Sequence, residues 1–354
     1  MTRFWRKWFV KAKPQFAILE PFGVEVAVGP EQTLLEAALA KGVPFPHNCT
    51  VGTCGSCKCR LISGDVRAGV DFGYTLSKEE IQAGYILACQ AHPLSAVVVK
   101  VENAGADAPA PEKFSGRIRS RSELTHDILS VVIELDRPIK YVAGQYADIQ
   151  TGDLPPRFYS FADPPERGGR REVSFFIRKT PGGAFTEPLF AGAFDGRELA
   201  IDGPHGSFYL RSGDGPLICL AGGSGLAPLM SLLMDARKKN IKRPCVLLFG
   251  ARSQRDLYML DAIEGMGADW LSDFKFIPVL SEEPLDSSWR GRRGLVTKAL
   301  AELLGADPEI VRSAQSYMCG PPPMIDSAVS VLVKAGVDIG DIHYDKFTDV
   351  RRPS

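Results

Sequence analysis

Four cysteines, Cys49, Cys54, Cys57 and Cys89, follow one another as C-x4-C-x2-C-x31-C. Three thiolates on one short loop, with a fourth delivered from a distant turn, is the plant-type spacing that holds two irons as a [2Fe–2S] cluster. The loop residues Gly52, Thr53, Gly55 and Ser56 are small. They let the backbone close on a cluster and aim N–H groups at its sulfurs, which tunes its potential. A structural zinc site from Cys54, Cys57, Cys89 and His92 would strand Cys49 and leave the glycines without a role. A Rieske centre needs a C-x-H, and the sequence has none. His47 reads as a hydrogen-bonding loop residue. Cys59, in the alternating run Lys58–Ile62, reads as a small buried hydrophobe.

A second chemistry is written further on. Arg157-Phe158-Tyr159-Ser160 offers a cation, aromatics and a hydroxyl at a spacing suited to a flavin's pyrophosphate, ring and reactive edge. About 25 residues later, Gly182-Gly183-Ala184-Phe185-Thr186 reads as a glycine turn opening a helix, where unpaired N–H groups would meet a phosphate. Gly222, Gly223 and Gly225 follow a strand-like run, where a nucleotide would lie at a helix N-terminus. Cys319-Gly320-Pro321-Pro322-Pro323-Met324 closes a later one, so the two turns would bracket a crevice.

These residues must be carried by a substantial fold. The chain has 354 residues, room for two or three domains, and 45% apolar residues, enough for ample cores. Lys+Arg and Asp+Glu both number 42, so no overall field steers it toward nucleic acid. Cys59, Cys219, Cys245 and Cys319 are scattered, which reads as thiols in a reducing compartment. Charges interrupt any apolar stretch near the start, and Leu217–Met234 is broken by Gly222–Gly225 and Pro228. The reading is a cytoplasmic protein, peripheral at the inner face of a membrane at most.

Composition and period divide the chain into a basic aromatic extension (1–14), a small β-rich domain around the cysteines (15–102), an Ala/Pro linker (103–112), a β-rich segment (113–212) and an alternating segment (213–354). Short strand-like runs at Ile128–Leu135, Tyr146–Gln150, Phe158–Phe161 and Val173–Arg178 predict an antiparallel barrel. Leu217–Ala221, Val246–Phe249, Phe276–Leu280 and Ser316–Cys319 read as buried strands. They alternate with helical patterns at Pro228–Lys239, Asp256–Glu264, Val296–Leu304 and Ile325–Ala335, which predicts an open parallel sheet.

Together these motifs resemble the oxygenase-reductase branch of the ferredoxin–NAD(P)+ reductase superfamily. Supporting stretches are Phe45–Cys49, Gly250–Tyr258, Ile277–Glu283 and Tyr317–Met324. The resemblance implies a multidomain α+β and α/β chain: a β-grasp ferredoxin domain, an antiparallel flavin-binding barrel and a parallel-sheet nicotinamide-binding domain. It implies that electrons pass from NADH through FAD and a [2Fe–2S] cluster to a terminal hydroxylase on another polypeptide. The acceptor implied first is a membrane-bound diiron hydroxylase of aromatic or alkyl side chains; the alternative is the same electron-transfer chain serving a Rieske dioxygenase, a soluble diiron monooxygenase or a deoxysugar dehydratase. A zinc-binding nucleotide-sensing regulator is the remote alternative. By resemblance, Arg157, Phe158, Tyr159 and Ser160 hold FAD, with Ser160 near the hydride-accepting nitrogen. Gly182, Gly183 and Thr186 serve its pyrophosphate, Gly222, Gly223 and Gly225 the dinucleotide phosphates, and Cys319 with Gly320 the nicotinamide. Asp345 and Phe347 match an acidic-plus-aromatic ending in which the ring covers the flavin, although Asp stands where Glu is common and seven residues follow Phe347.

Two readings remain. Past Val246–Phe249 comes Gly250-Ala251-Arg252-Ser253, where a ribose-binding acid is missing and a cation and hydroxyl suit the 2′-phosphate of NADPH. The resemblance favours NADH, which is the expectation taken. Drawn as a helix, residues 1–13 put Phe4, Trp5, Trp8, Phe9 and Ala12 on one face. Arg3, Arg6, Lys7, Lys11 and Lys13 lie off its centre, a division suited to a lipid interface.

Overall fold

The computed structural model describes residues 13–47, 50–52, 55–101, 109–306, 311 and 313–347. The chain forms two compact units, divided between residues 106 and 107. In the first unit, Gln15–Glu20 and Val24–Val28 pair as an antiparallel hairpin. Alternate positions, Ala17, Leu19, Val26 and Val28, are buried. Helix Leu34–Ala40 covers that face. It starts at Thr33, whose hydroxyl accepts the Glu36 N–H while Glu36 returns a bond to the Thr33 N–H, and it buries Leu34, Leu35, Ala37 and Ala38. The sheet order is Val24–Val28, Gln15–Glu20, Val97–Lys100, Lys58–Ser63, Tyr85–Leu87. Only the pairing of Gln15–Glu20 with Val97–Lys100 is parallel. This mixed sheet with its helix is the β-grasp arrangement.

The second unit begins with a six-stranded antiparallel sheet, ordered Arg157–Ser160, Tyr146–Gln150, Glu198–His205, Glu112–Thr125, Ile128–Ile139, Arg170–Arg178. A bridge between Phe161 and Phe175 joins its two edges and closes the barrel. Glu112, placed in the linker by composition, is the first residue of a strand. That long strand and Glu198–His205 escaped the sequence reading because their exposed positions are polar and Gly203-Pro204 interrupts the apolar pattern.

The remaining sheet is wholly parallel, ordered Arg292–Arg293, Phe274–Leu280, Cys245–Ala251, Leu217–Gly222, Gln315–Gly320, Ile342–Lys346. Chain order runs outward from Leu217–Gly222 on one side and restarts beside it with Gln315–Gly320. The strand order therefore reverses between these two strands, the place where open parallel sheets bind ligands. Two expectations change here. The segment around Tyr344–Lys346, read as a tail, is an edge strand, and the helix expected from Asp256 starts at Leu260. The reason for the second is local: Ser253 and Asp256 cap each other reciprocally around a short 3-10 turn, Gln254–Asp256.

Barrel and parallel sheet share one apolar core. Ala162, Phe176 and Phe208 from the barrel pack with Leu226, Met230 and Tyr258. The Ser231 hydroxyl donates to the Asp163 carbonyl at 2.5 Å, and Tyr141 donates to the same oxygen at 3.0 Å.

Candidate functional site

In the smaller unit, Cys57 enters the strand Lys58–Ser63, and Cys89 sits in the turn Ala88–Gln90 after the strand Tyr85–Leu87. The two strands pair with Lys58 opposite Leu87, which brings the two cysteines together. Both are buried, and the Cys89 N–H donates to the Cys57 sulfur at 3.4 Å. Cys49 and Cys54 lie outside the described residues. The surrounding loop is built for close approach. Gly52 has φ +82°, and a Cβ there would meet the Gln90 and Val70 side chains at 3.0 Å. Thr75 donates to the Gly52 carbonyl at 2.5 Å, and Gln90 to the Thr50 carbonyl at 2.7 Å. Sulfur already receiving a backbone N–H, inside a glycine-lined cradle, fits an iron–sulfur cluster. Cys59 is fully buried in the sheet.

On the barrel, strand alternation sorts the flavin candidates. Arg157 and Tyr159 share a face, opposite Ile149 and Ala147, and the Tyr159 ring leans on Phe185 at 5.8 Å. Ser160 is buried at the strand's end. Phe158 points to the other face, which Ser160 shares by alternation, and it lies half exposed beside Tyr146. Helix Thr186–Phe190 begins beside Phe185. The glycines before it are busier than expected. The Gly182 N–H donates to Glu187, the Gly183 N–H to the Thr180 carbonyl, and the Thr186 hydroxyl is shared with Thr180. Gly183 matters for space, because a Cβ there would lie 2.5 Å from the Thr186 oxygen. An aromatic, a cation and a buried hydroxyl on one strand are groups of the kind that could hold a flavin.

At the switch point the two turns press directly on one another. A Cβ on Gly222 would meet the Met324 sulfur at 2.7 Å, and one on Gly225 would meet the Cys319 carbonyl at 2.2 Å. Gly223 has φ +56°, and a Cβ there would lie 3.3 Å from a guanidinium nitrogen of Arg178, which arrives from the barrel. Tyr258 donates to the Gly223 carbonyl at 2.9 Å. Met259 is left-handed at φ 59°, a strained state for a side chain of its size, and holds Tyr258 inward while the next helix starts. Cys319 is fully buried, opposite Asp345 across the strand pair. Burial, then the nearby Asp345 charge, pushes its thiol well up, so it serves as a neutral thiol. Burial also pushes Asp345 up to about 7. The Phe347 N–H donates to the Gly320 carbonyl at 2.9 Å, which sets its ring against the shared core.

The sequence reading missed one constellation altogether. Asp127, at the tip of a barrel hairpin, meets Arg178 at 3.0 Å and Arg252 at 2.9 Å, and Arg252 also meets Asp256 at 3.0 Å. Burial pushes the Asp127 carboxyl up, but Arg178 and the Thr125 hydroxyl outweigh it and hold the group below its usual range. For Asp256, hydrogen bonds from Ser253 and the charge of Arg252 likewise outweigh burial. Arg252, the cation whose type suited a 2′-phosphate, is held by two carboxylates.

Three families match in succession: a 2Fe-2S iron-sulfur cluster binding domain over residues 17–94, an oxidoreductase FAD-binding domain over 115–209 and an oxidoreductase NAD-binding domain over 219–330. The xylene/toluene monooxygenase electron transfer component of Pseudomonas putida is 40% identical over 326 residues, 92% of this chain and 91% of that protein. Among solved structures, an Amycolatopsis cytochrome P450 reductase superposes with a TM-score of 0.68 at 32% identity, covering 95% of this chain and 99% of that one. A ferredoxin reductase of a carbazole 1,9a-dioxygenase superposes at 0.65 and 30% identity, covering 95% and 98%.

Proposed function

This chain belongs to the oxygenase-reductase branch of the ferredoxin–NAD(P)+ reductase superfamily, and on that footing we propose how its own residues do the work and which acceptor it serves. It is an oxidoreductase with [2Fe–2S], FAD and NAD-binding domains, the reductase component of a multicomponent oxygenase. In our reading the ferredoxin domain spans 15–102, the linker 103–111, the flavin barrel 112–212 and the nicotinamide domain 213–354. When bound, NADH supplies a hydride, FAD converts the electron pair to single electrons, and the cluster carries these onward. The observation that carries the proposal is the switch point. Gly222–Gly225 and Cys319–Met324 meet there, with Arg178 reaching in from the flavin barrel.

We assign the roles from the chemistry of the residues, supported by their placement. Cys49, Cys54, Cys57 and Cys89 are the cluster ligands. Arg157 neutralises the flavin pyrophosphate, Tyr159 covers the ring, and Ser160 donates a hydrogen bond to the reacting edge. Gly222, Gly225 and Gly320 let the two turns pack on one another and Gly223 admits Arg178, which shapes the place we assign to the dinucleotide, with Tyr258 bracing Gly223. Buried Cys319, with the partly buried Asp345 opposite it, keeps the nicotinamide end dry and low in charge, and Phe347 guards the flavin face until the nicotinamide displaces it.

For the acceptor we favour a membrane-bound diiron hydroxylase of aromatic or alkyl side chains. The relative in the xylene/toluene system and the basic aromatic segment 1–13 both support it. No helix among the described residues is long and apolar enough to cross a membrane, and residues 1–12 lie outside them. Half-burying four aromatic rings is worth ~10 kcal/mol and five cations on anionic lipid ~5 kcal/mol, against at least ~13 kcal/mol for ordering the segment. The contact is therefore reversible and salt-sensitive. Sedimentation with anionic liposomes at low salt should pellet the full chain more than a chain starting at Lys13, and equal pelleting would remove the membrane contact. A pull-down from the native host should recover the hydroxylase subunit; a Rieske oxygenase in its place would overturn the acceptor assignment.

A further inference from the structure

The parallel sheet puts Arg252 where a dinucleotide's adenosine end is sorted. Gly222 and Gly250 are register partners on adjacent parallel strands, so the residues after Ala251 lie level with the glycine turn. In such sheets the group just past the second strand meets the ribose. An acid there accepts the 2′-hydroxyl of NADH, and an arginine takes the 2′-phosphate of NADPH. Arg252 and Ser253 occupy that place, and their side chains are already bound. Arg252 Nη2 lies 2.9 Å from Asp127 Oδ2 and 3.0 Å from Asp256 Oδ1. The other Asp256 oxygen takes the Ser253 N–H at 2.9 Å and its hydroxyl at 2.8 Å. Asp127 is in turn fixed by Arg178 at 3.0 Å and by the Thr125 hydroxyl at 3.0 Å.

We propose that Asp127 and Asp256 set coenzyme choice against the 2′-phosphate by occupying Arg252, so that the acid missing from the strand's end is delivered from the barrel hairpin and the following turn. The inference rests on the nicotinamide-coenzyme reading of this site. The steric route is open, because the Arg252 side chain is 41% exposed. Selection is therefore electrostatic. A 2′-phosphate brings up to two negative charges toward two carboxylates that the arginines Arg178 and Arg252 already neutralise. A 2′-hydroxyl brings none, and either carboxylate can accept its hydrogen bond. His126 is the further titratable group on this patch, 3.7 Å from Asp256.

The test compares NADPH with NADH as kcat/KM for ferricyanide reduction in wild type, Asp127→Asn, Arg252→Gln and the double variant. A parallel series measures inhibition by adenosine 2′,5′-bisphosphate against 5′-AMP. Asp127→Asn should raise the NADPH:NADH ratio and the relative potency of the bisphosphate by about tenfold, and Arg252→Gln on top should abolish both gains. Arg252→Gln alone should not raise the ratio, because it frees no cation for a phosphate and takes from Asp256 its arginine partner. An unchanged ratio in Asp127→Asn with full FAD would overturn the proposal, as would a tenfold rise in the ratio in Arg252→Gln alone. If Asp127→Asn loses FAD, Asp256→Asn, which keeps an oxygen for Ser253, carries the same expectation. Failure of the underlying reading is seen separately, as wild type that oxidises neither coenzyme.

Discussion

Around the cysteine loop, the groups proposed to hold the cluster lie close in sequence: Cys57 and the glycines at 52 and 55 share one loop, and Cys89 joins them through a single strand pair. In the larger unit, Asp127 meets Arg178 from 51 residues away and Arg252 from 125 away, and the switch point joins strands nearly a hundred residues apart. A metal cluster is held by coordination bonds to a few side-chain atoms, so its site must spend particular residue types at fixed spacing. A flavin or dinucleotide is held by backbone N–H groups, clearance and neutralised charge, which many sequences supply. The first site is written locally, while the second is assembled by topology.

The comparison is broken most drastically at the thiolates. Cys89→Ser should abolish the cluster's visible bands and NADH-driven reduction of cytochrome c, while ferricyanide reduction, which needs only the flavin–nicotinamide unit, survives. Cys59→Ser, a buried neighbour two residues past Cys57, should lose stability by about 1–3 kcal/mol but keep both activities. A bleached Cys59 variant, or bands retained without Cys89, would break the ligand assignment.

In the larger unit, losses should be graded. Ser160→Ala removes one hydrogen bond that tightens during hydride transfer and should cost about 1–3 kcal/mol, roughly 5- to 150-fold in the rate of flavin reduction at saturating NADH. An unchanged rate at full FAD content would remove Ser160 from the chemistry. Tyr258→Phe unbraces the Gly223 carbonyl and should raise KM for NADH about 3- to 10-fold with kcat nearly kept. A fall in kcat with KM unchanged would mean that Tyr258 acts on the reaction itself.

The smallest effect belongs to a group outside both sites. Among the described residues Asp148 has a buried oxygen with no hydrogen-bond partner, and burial, then the charge of Asp202, pushes its carboxyl up to about 7. Asp202 is itself paired with His205 at 3.1 Å. Because the folded carboxyl holds its proton more tightly than the unfolded one, its contribution is full below about pH 4 and is lost as pH rises through about 7. Asp148→Asn should therefore raise the melting temperature by roughly 2 °C at pH 8 and leave it unchanged near pH 4. A gain of equal size at both pH values would mean that titration of Asp148 is not its cause.

The same contrast explains what the sequence disclosed. Tyr146–Gln150 was legible to the residue, since its alternation survives on both faces. The run Leu217–Gly222 stood out because every position is buried. Ile342–Lys346 was not, because an edge strand with one fully buried position carries too little pattern. Phe158 was grouped with Arg157 and Tyr159 by adjacency, although alternation alone would have put it on the other face. Asp127 and Arg178 were single charges at the ends of apolar strand-like runs, and nothing local announces a partner brought by folding. The Ser253-Gln254-Arg255-Asp256 capping box was the one readable sign that Arg252 has a carboxylate beside it.

The central claim is that electrons enter at the switch point and leave through the cysteine loop. Anaerobic rapid mixing of wild type and Cys89→Ser with NADH, following flavin and cluster absorbance together, tests it most directly. The account predicts equal rates of flavin bleaching in both proteins, with cluster bleaching only in wild type and only after the flavin. Cluster bleaching that precedes the flavin, or flavin bleaching slowed more than about tenfold by Cys89→Ser, would contradict it.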